Sequence, residues 1–379
     1  MVSSRVFTVL AIGFTVIFIL VLFNEYYKEQ RLHAGRPKIK KSEIKDTDMN
    51  PKTLHSFLQN MMKQIQQLDW RLKEEEDFKK YKQARDSIVK LLPKLTNNTY
   101  DTTFHVLVDT VHKKIYSNRY KVIILVSSNA PNFERRKNIR RLWGNKKHWK
   151  SHMWEVFFVT GGSPDAKVMR KLYNEAEKKK DIIIEDVPED FYNLAKKVMI
   201  GLQWAHVNFK YDYILKCDDD VFVHVDNLVD NLKNYQRNTF FGQLMEGQPV
   251  LRSGRYGVSE EEHKASQYDP YCSGGGFTLS HDVINSIIPL FDWERPLKID
   301  DAYIGKLVYK SGTHAKHNDG FYMWNNKCEY HDNVIVTHPV KELPCMKELQ
   351  KTALSKSSFF KSINLDSLTE EATVVRRSS

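Results

Sequence analysis

The sequence predicts an α/β protein with a mostly parallel central sheet covered by helices. Four short, apolar, β-branched runs carry the first half of that expectation: 122–128 (VIILVSS), 155–161 (EVFFVTG), 181–187 (DIIIEDV) and 212–217 (DYILKC). Runs of this length without alternation read as strands buried on both faces. Between them, 132–148, 164–180 and 190–209 carry apolar residues at helical spacing, so strand and helix alternate as parallel pairing requires. The third observation is a missing signature. Neither GxGxxG nor GxxxxGK[ST] follows the first strand, so a nucleotide would have to be held by another device.

Before the first strand the chain has a different character. Val6–Phe23 is an uncharged run of eighteen residues, long enough at about 1.5 Å per residue to span a hydrocarbon core. It reads as a transmembrane signal anchor behind a tail of residues 1–5. A cleaved signal peptide fits less well, because Asn24-Glu25-Tyr26-Tyr27 follows where small residues should mark a cleavage site. Lys28, Arg31, Arg36, Lys38, Lys40 and Lys41 follow the run and oppose a lumenal body on the positive-inside count. The N-glycosylation acceptor Asn97-Asn98-Thr99 favours one.

Residues 24–117 read as a stem, basic and Pro-containing up to about residue 52. Leu54, Leu58, Met61, Ile65, Leu68 and Leu72 then alternate spacings of four and three. A helix over 54–72 would present an a/d seam, either pairing two copies into a homodimer or packing on its own domain. After 342, residues 343–379 are Ser-, Lys- and Thr-rich and predict a mostly disordered tail.

The 379 residues are 41% hydrophobic, which supports a sizeable core. Lys plus Arg number 58 against 47 acidic residues, a formal +11 that fits a basic surface or an anionic partner equally. The four cysteines, Cys217, Cys272, Cys328 and Cys345, show no CxxC spacing, against a zinc ribbon or thioredoxin-type site.

The sharpest chemical feature is Asp218-Asp219-Asp220, set between the apolar runs Ile214-Leu215 and Val221-Phe222-Val223. Three carboxylates beside buried strands are costly unless a cation balances them. Strand alternation puts Asp218 and Asp220 on one side and Asp219 on the other. Oxygen ligands of this kind suit Mn²⁺ or Mg²⁺, with positions left for substrate phosphates; the competing reading is a surface or capping acidic turn.

Arg136 and Arg140 share a helix face and would bind an anionic donor or pair structurally. Ile139, Leu142 and Trp143 between these charges look like the core side of that helix, which disfavours a nucleic-acid patch. Asn193 and Lys197 stand four apart on another helix. Asp300 and Asp301 open the amphipathic stretch AYIGKLVYK, where Asp is favoured as a cap. Gly274–Gly276 removes side chains where backbone would approach a ligand, and His338 is a candidate nitrogen ligand at the end of an apolar run.

In order, Arg136-Lys137-Asn138-Ile139-Arg140-Arg141-Leu142-Trp143-Gly144, Asp186-Val187-Pro188-Glu189-Asp190-Phe191-Tyr192-Asn193-Leu194-Ala195-Lys196-Lys197, the acidic triplet, Tyr271–Gly276, Asp300–Gly305 and Thr337-His338-Pro339 resemble the β-1,3-galactosyltransferase-like glycosyltransferases of family 31. That group also holds β-1,3-N-acetylglucosaminyltransferases and the fringe enzymes. Leu142, Glu189, Phe191 and Ala195 depart from the family pattern.

The resemblance covers about 120–340 and implies a GT-A-type catalytic domain over 118–342. It implies Asp218, Asp220 and His338 at a Mn²⁺ site, and a UDP-sugar near Arg136, Arg140, Asn193, Lys197, Asp218, Asp219 and Gly275. Asp301 would be the general base and Asp300 the helix cap. A type II protein of the Golgi membrane with a lumenal catalytic domain follows from the same precedent, which allows disulfides. Cys217, in an apolar strand, is expected free and buried, with Cys272 and Cys328 the favoured pair.

The activity implied is inverting β-1,3 transfer to a glycan on a glycoprotein, glycolipid or proteoglycan. UDP-galactose is the favoured donor and UDP-N-acetylglucosamine the alternative. A catalytically silent, lectin-like member is the competing class.

Overall fold

The computed structural model describes residues 106–357 except 112–114, 116–117 and 236. The anchor at 6–23, the seam at 54–72, Asn97 and the chain after 357 lie outside the described residues. Among the described residues no helix is long and apolar enough to cross a membrane.

The sheet begins with β1 (Val106–Asp109) and β2 (Arg119–Ser127), followed by α1 (Phe133–Arg141). Then come β3 (Trp154–Gly162), α2 (Ala166–Lys179), β4 (Ile182–Pro188), α3 (Leu194–Asn208) and β5 (Lys210–Asp218). The second half holds β6 (Phe222–Val223), α4 (Val225–Asn231), β7 (Phe240–Met245), β8 (Tyr271–Ser280), α5 (His281–Ile287) and α6 (Asp300–Lys310). It closes with β9 (Ala315–His317), β10 (Phe321–Tyr322), β11 (Val336–Thr337) and α7 (Leu343–Lys356).

Eight strands form one sheet in the order β1-β4-β3-β2-β5-β8-β7-β9. Strands β4, β3, β2 and β5 are mutually parallel; β1, β8 and β7 add antiparallel pairs. This mixed, mostly parallel sheet, with the acidic triplet leaving the end of a central strand, meets the GT-A-type expectation. A small sheet, β10-β11-β6, lies beyond that strand.

The parallel strands are apolar throughout because both faces are covered. In β2, Val122, Ile123, Ile124, Leu125 and Val126 are all buried. Helix α3 buries Ala195, Val198, Met199, Ile200, Leu202, Trp204 and Ala205. Gly201 lets it settle closely, since a Cβ there would stand 3.2 Å from Val159 Cγ2. Trp204 and Phe209 pack edge-on at 5.2 Å, and Phe157 meets Trp204 at the same distance; truncating a buried aromatic of this kind typically costs about 3–5 kcal/mol.

Three expectations change here. The sheet starts before residue 118, because β1, which the sequence reading gave to the stem, pairs with β4. In the segment after 342, expected to be mostly disordered, the described part forms α7, which buries Met346, Leu349, Ala353 and Leu354. Its apolar residues are sparse in sequence yet share one helix face. The third concerns pairing. Cys328 is bonded to Cys345 on that helix, not to Cys272, which is free and buried. Cys272 belongs to β8, inside the core. Cys217 is free and buried as expected.

Candidate functional site

Strand β5 ends on Asp218 at the edge of the core, and the turn that follows sends Asp219 and Asp220 to different partners. Asp219 turns inward and is saturated, accepting from Ser128 Oγ (2.8 Å), Asn132 Nδ2 (2.8 Å) and Arg135 Nη1 (2.7 Å). These bonds make it an anchor of the loop after β2.

Asp218 and Asp220 emerge on the other side. Together with His338 each offers one ligand atom, all within 4.8 Å of one another. His338 arrives from β11, whose Val336 and Thr337 pair with Val223 and Phe222 of β6. Its Nε2 lies 3.4 Å from Asp220 Oδ1. The peptide amide of Val340 donates to the Asp220 carbonyl at 2.6 Å, closing the strand ends together.

The electrostatics of this corner call for added positive charge. Two carboxylates about 4–5 Å apart at an effective dielectric of about 20 repel by roughly 3–4 kcal/mol. Loss of hydration at the strand end, then the charges of Asp300 and Asp220, push the Asp218 carboxyl up, with Lys216 pulling the other way. Solvent still reaches Asp218, whose side chain is 38% exposed, which tempers that push. Burial alone would also raise Asp220, but its contact with His338 and the nearby Arg135 hold it below the usual carboxylate range. Two carboxylate oxygens and one imidazole nitrogen fit a divalent ion such as Mn²⁺ or Mg²⁺.

Lys216 carries no label in the sequence, yet it organises the site. Its ammonium is buried and touches Asp218 (3.0 Å), Asp300 (3.3 Å) and the Gly274 carbonyl (2.7 Å). Burial disfavours that charge, but the adjacent carboxylates outweigh it and keep the lysine protonated. Asp300 is thereby an ion-pair partner; the amide cap expected of it does not form, since Ile299 is the N-cap residue of α6 and makes no side-chain cap bond.

Asp301 follows on the first turn of α6 and accepts from the Gly274 amide at 2.8 Å. Dehydration, then repulsion by Asp300, push its carboxyl up to about 7, against the lowering effect of the Ala302 amide, Lys216 and the Gly274 amide. A carboxyl poised there can take up a proton at neutral pH.

The glycine run explains how β8 passes so close. A Cβ on Gly274 would stand 3.2 Å from Asp301 Oδ2, and one on Gly275 would be 2.9 Å from His338 Cγ and 2.7 Å from Met323 Sδ. Gly275 thus makes room for the protein's own histidine.

Of the two roles open to the basic helix, donor binding or structural pairing, the contacts among the described residues are structural ones. Arg136 is fully buried, pairs with Glu175 at 2.7 Å and donates to the Asn129 and Ala130 carbonyls. Arg140 joins Glu175 (2.6 Å) and Asp181 (2.7 Å). Both are structural, and Arg135, the neighbour that sequence reasoning passed over, faces the acidic corner instead, 3.6 Å from Asp220. Lys197 is also internal, bonding Glu189 (2.9 Å) and the Ser128 carbonyl (2.7 Å), while Asn193 donates to the Pro188 carbonyl. These two frame the ends of β2 and β4. Trp143, inside the Arg motif, donates to the Val221 carbonyl at 2.9 Å and so fixes α1 beneath the acidic turn.

Comparison with known proteins agrees with this geometry. The galactosyltransferase family pattern matches residues 134–319, from α1 to just past β9. Mouse (Mus musculus) β-1,3-galactosyltransferase 1 is 31% identical over 229 residues, covering 58% of this chain and 70% of the relative. The mouse acetylgalactosaminyl-O-glycosyl-glycoprotein β-1,3-N-acetylglucosaminyltransferase is 32% identical over 216 residues, covering 52% and 54%. A solved galactosyltransferase in complex with donor and acceptor sugar analogs aligns loosely, with a TM-score of 0.34 at 11% identity over 63% of this chain and 99% of that one. The chain belongs to the galactosyltransferase family, which brings together β-1,3-galactosyltransferases and β-1,3-N-acetylglucosaminyltransferases.

Proposed function

We propose that this chain is an inverting, Mn²⁺-dependent β-1,3-galactosyltransferase that moves galactose from UDP-galactose to a glycan hydroxyl. The observation that carries the reading is the pairing of two unlike carboxylate environments in one corner. Asp218 and Asp220 converge with His338 within 4.8 Å, while Asp301 stands apart with its carboxyl pushed up to about 7.

Asp218, Asp220 and His338 would hold the divalent ion, which when bound supplies charge compensation for the diphosphate. Asp301 accepts the proton of the attacking hydroxyl, and the Gly274 amide fixes the orientation of its carboxylate. Lys216 holds the Asp300 and Asp218 carboxylates in place through its ion pairs. With a single base and direct displacement, the α linkage of the donor becomes a β linkage in the product.

UDP-N-acetylglucosamine is the runner-up donor, favoured by the N-acetylglucosaminyltransferase relative at 32% identity. A silent, lectin-like role fits less well because both the ligand set and Asp301 are intact. For location we infer the Golgi membrane, type II, with the catalytic part lumenal. The uncharged Val6–Phe23 run and the Asn97 acceptor support that reading, and the Cys328–Cys345 bond suits an oxidising compartment.

The test is UDP release by the full-length chain with each donor in parallel, with and without Mn²⁺, over a panel of glycan acceptors. Metal-dependent, acceptor-stimulated release from UDP-galactose is expected. Release from UDP-N-acetylglucosamine alone would overturn the donor assignment, and metal-independent release would overturn the role of Asp218, Asp220 and His338.

A further inference from the structure

A cluster of exposed rings and cations at the rim of the site has no part in the chemistry described so far. The connection from β7 to β8, residues 246–270, has few regular elements yet is firmly held. Arg252 donates to the carbonyls of Val258 (3.1 Å), Ser259 (3.1 Å), His263 (2.8 Å) and Ala265 (2.8 Å). Val250 and Val258 enter the main core, and Pro249 pairs with Gln267. At the tip, Gly254 takes a φ of +77° and its carbonyl accepts from the Gly257 amide at 3.0 Å. This turn holds Arg255 and Tyr256 outward.

What they meet is the short turn that opens α3. Tyr256 lies edge-on to Phe191 at 5.3 Å, and Phe191 is edge-on to Tyr192 at 5.9 Å. The Arg255 guanidinium sits over both Phe191 (4.8 Å) and Tyr256 (5.7 Å). Lys298 reaches the other side, 5.1 Å from the Tyr192 ring. Tyr192 and Tyr256 nevertheless stay 57% and 52% exposed. Rings held in place but left in water mark a recognition surface more often than a core.

Two details give this surface a place and a sign. Lys298 stands three residues before Asp301, and Tyr268 of the same connection packs edge-on against Tyr271 of β8 at 6.1 Å. Lys298 thereby ties the platform to the stretch that leads into α6, the helix that carries Asp301. The Lys298 charge is answered by Glu262 at 3.6 Å, and Glu262 also accepts from the Ser259 amide at 2.9 Å. Arg255 has no carboxylate partner among the described residues, so its planar fork stays available for an external oxyanion.

We propose that Phe191, Tyr192, Arg255 and Tyr256 form an acceptor platform that selects a glycan carrying an anionic group, carboxylate or sulfate, on the sugar next to the one being extended. The rings take the apolar face of that sugar and Arg255 takes its oxyanion. This rests on the transferase reading and names its substrate class.

The test uses the full-length chain with three matched oligosaccharides that differ only in that sugar: neutral, uronic acid and sulfated. Wild type is expected to show about tenfold higher kcat/KM on a charged acceptor than on the neutral one, with the preference shrinking as salt rises. The two charged arms identify which oxyanion is read. In R255A the charged-to-neutral ratio should collapse towards one, through KM, and R255K should restore part of it. Equal use of all three acceptors by wild type, or an unaltered ratio in R255A, would overturn the proposal. Direct calorimetric titration of the same oligosaccharides separates it from the parent reading. Arg255-dependent binding by a chain that releases no UDP would keep the platform and overturn the transferase, whereas no binding by such a chain overturns both.

Discussion

Two charged constellations sit near the ends of the parallel strands, and both grow from charged motifs that a reader of the sequence would mark as functional. Around α1 and α2, Arg136 and Arg140 are matched by Glu175 and Asp181, with every guanidinium edge answered by an acceptor. Around β5 and α6, among the described residues, Asp218, Asp220 and Asp300 face Lys216, Arg135 and His338 as their charged or imidazole partners, and Asp301 is held by backbone amides alone. The first set closes on itself and reads as architecture. The second leaves oxygen ligands unanswered on one side, and that surplus is what a cation and a reacting hydroxyl can use. Residue type does not separate the two cases; saturation by neighbours does.

The contrast breaks most sharply at Asp220. Asp220→Ala should abolish Mn²⁺-dependent donor binding and lower the melting temperature slightly, because the contacts with His338 and Arg135 that favour its charged form in the folded protein are lost. Calorimetric titration of UDP with Mn²⁺, beside a melting curve, reads both. Unchanged affinity would show that the corner is not a metal site.

At the closed constellation the reverse is expected. Arg136→Ala leaves Glu175 without one of its partners and should cost about 3–5 kcal/mol of stability, while the remaining folded molecules keep their kcat/KM. Chemical denaturation with an activity assay on the native fraction distinguishes this from a donor-binding role, which would raise the donor KM instead.

Asp301→Asn should retain donor and metal affinity and lower turnover on the order of a hundredfold or more. Full activity in that variant removes Asp301 from the mechanism. The smallest effect concerns pH. A base with a raised pKa must lose its proton to act, so activity should rise as pH increases through about 7 and fall about tenfold per unit below it. An acid limb near pH 4 would show that Asp301 is not the titrating group.

Much of this was legible in the sequence, and the misses share a cause. The β2, β3, β4 and β5 runs and the helices between them were found because burial on both faces writes itself as continuous apolar stretches. Asp218, Asp220 and His338 come together as the motif order implied. What could not be read was direction and partner. Asp219 differs from its neighbours only by a set of donors from the loop after β2, residues nearly ninety positions away. Arg135 and Arg136 are adjacent and alike, and only the helix orientation sends one to the acidic corner and the other inward. Lys216 drew no reading of its own because its partners Asp300 and Gly274 are supplied by later elements. The cysteine pairing failed for a similar reason, since α7 was not expected to fold back at all.

That last helix sets a practical boundary. Cys345 lies on α7, while Cys328 sits in the stretch that leads from Met323, beneath Gly275, back to His338. A shortened protein ending at 342 would strand Cys328 as a half-buried thiol and uncover the apolar patch that Met346, Leu349 and Leu354 normally fill. Such a fragment should crosslink to itself under oxidising conditions, visible as a dimer band on a non-reducing denaturing gel, whereas one ending at 357 should show no such band.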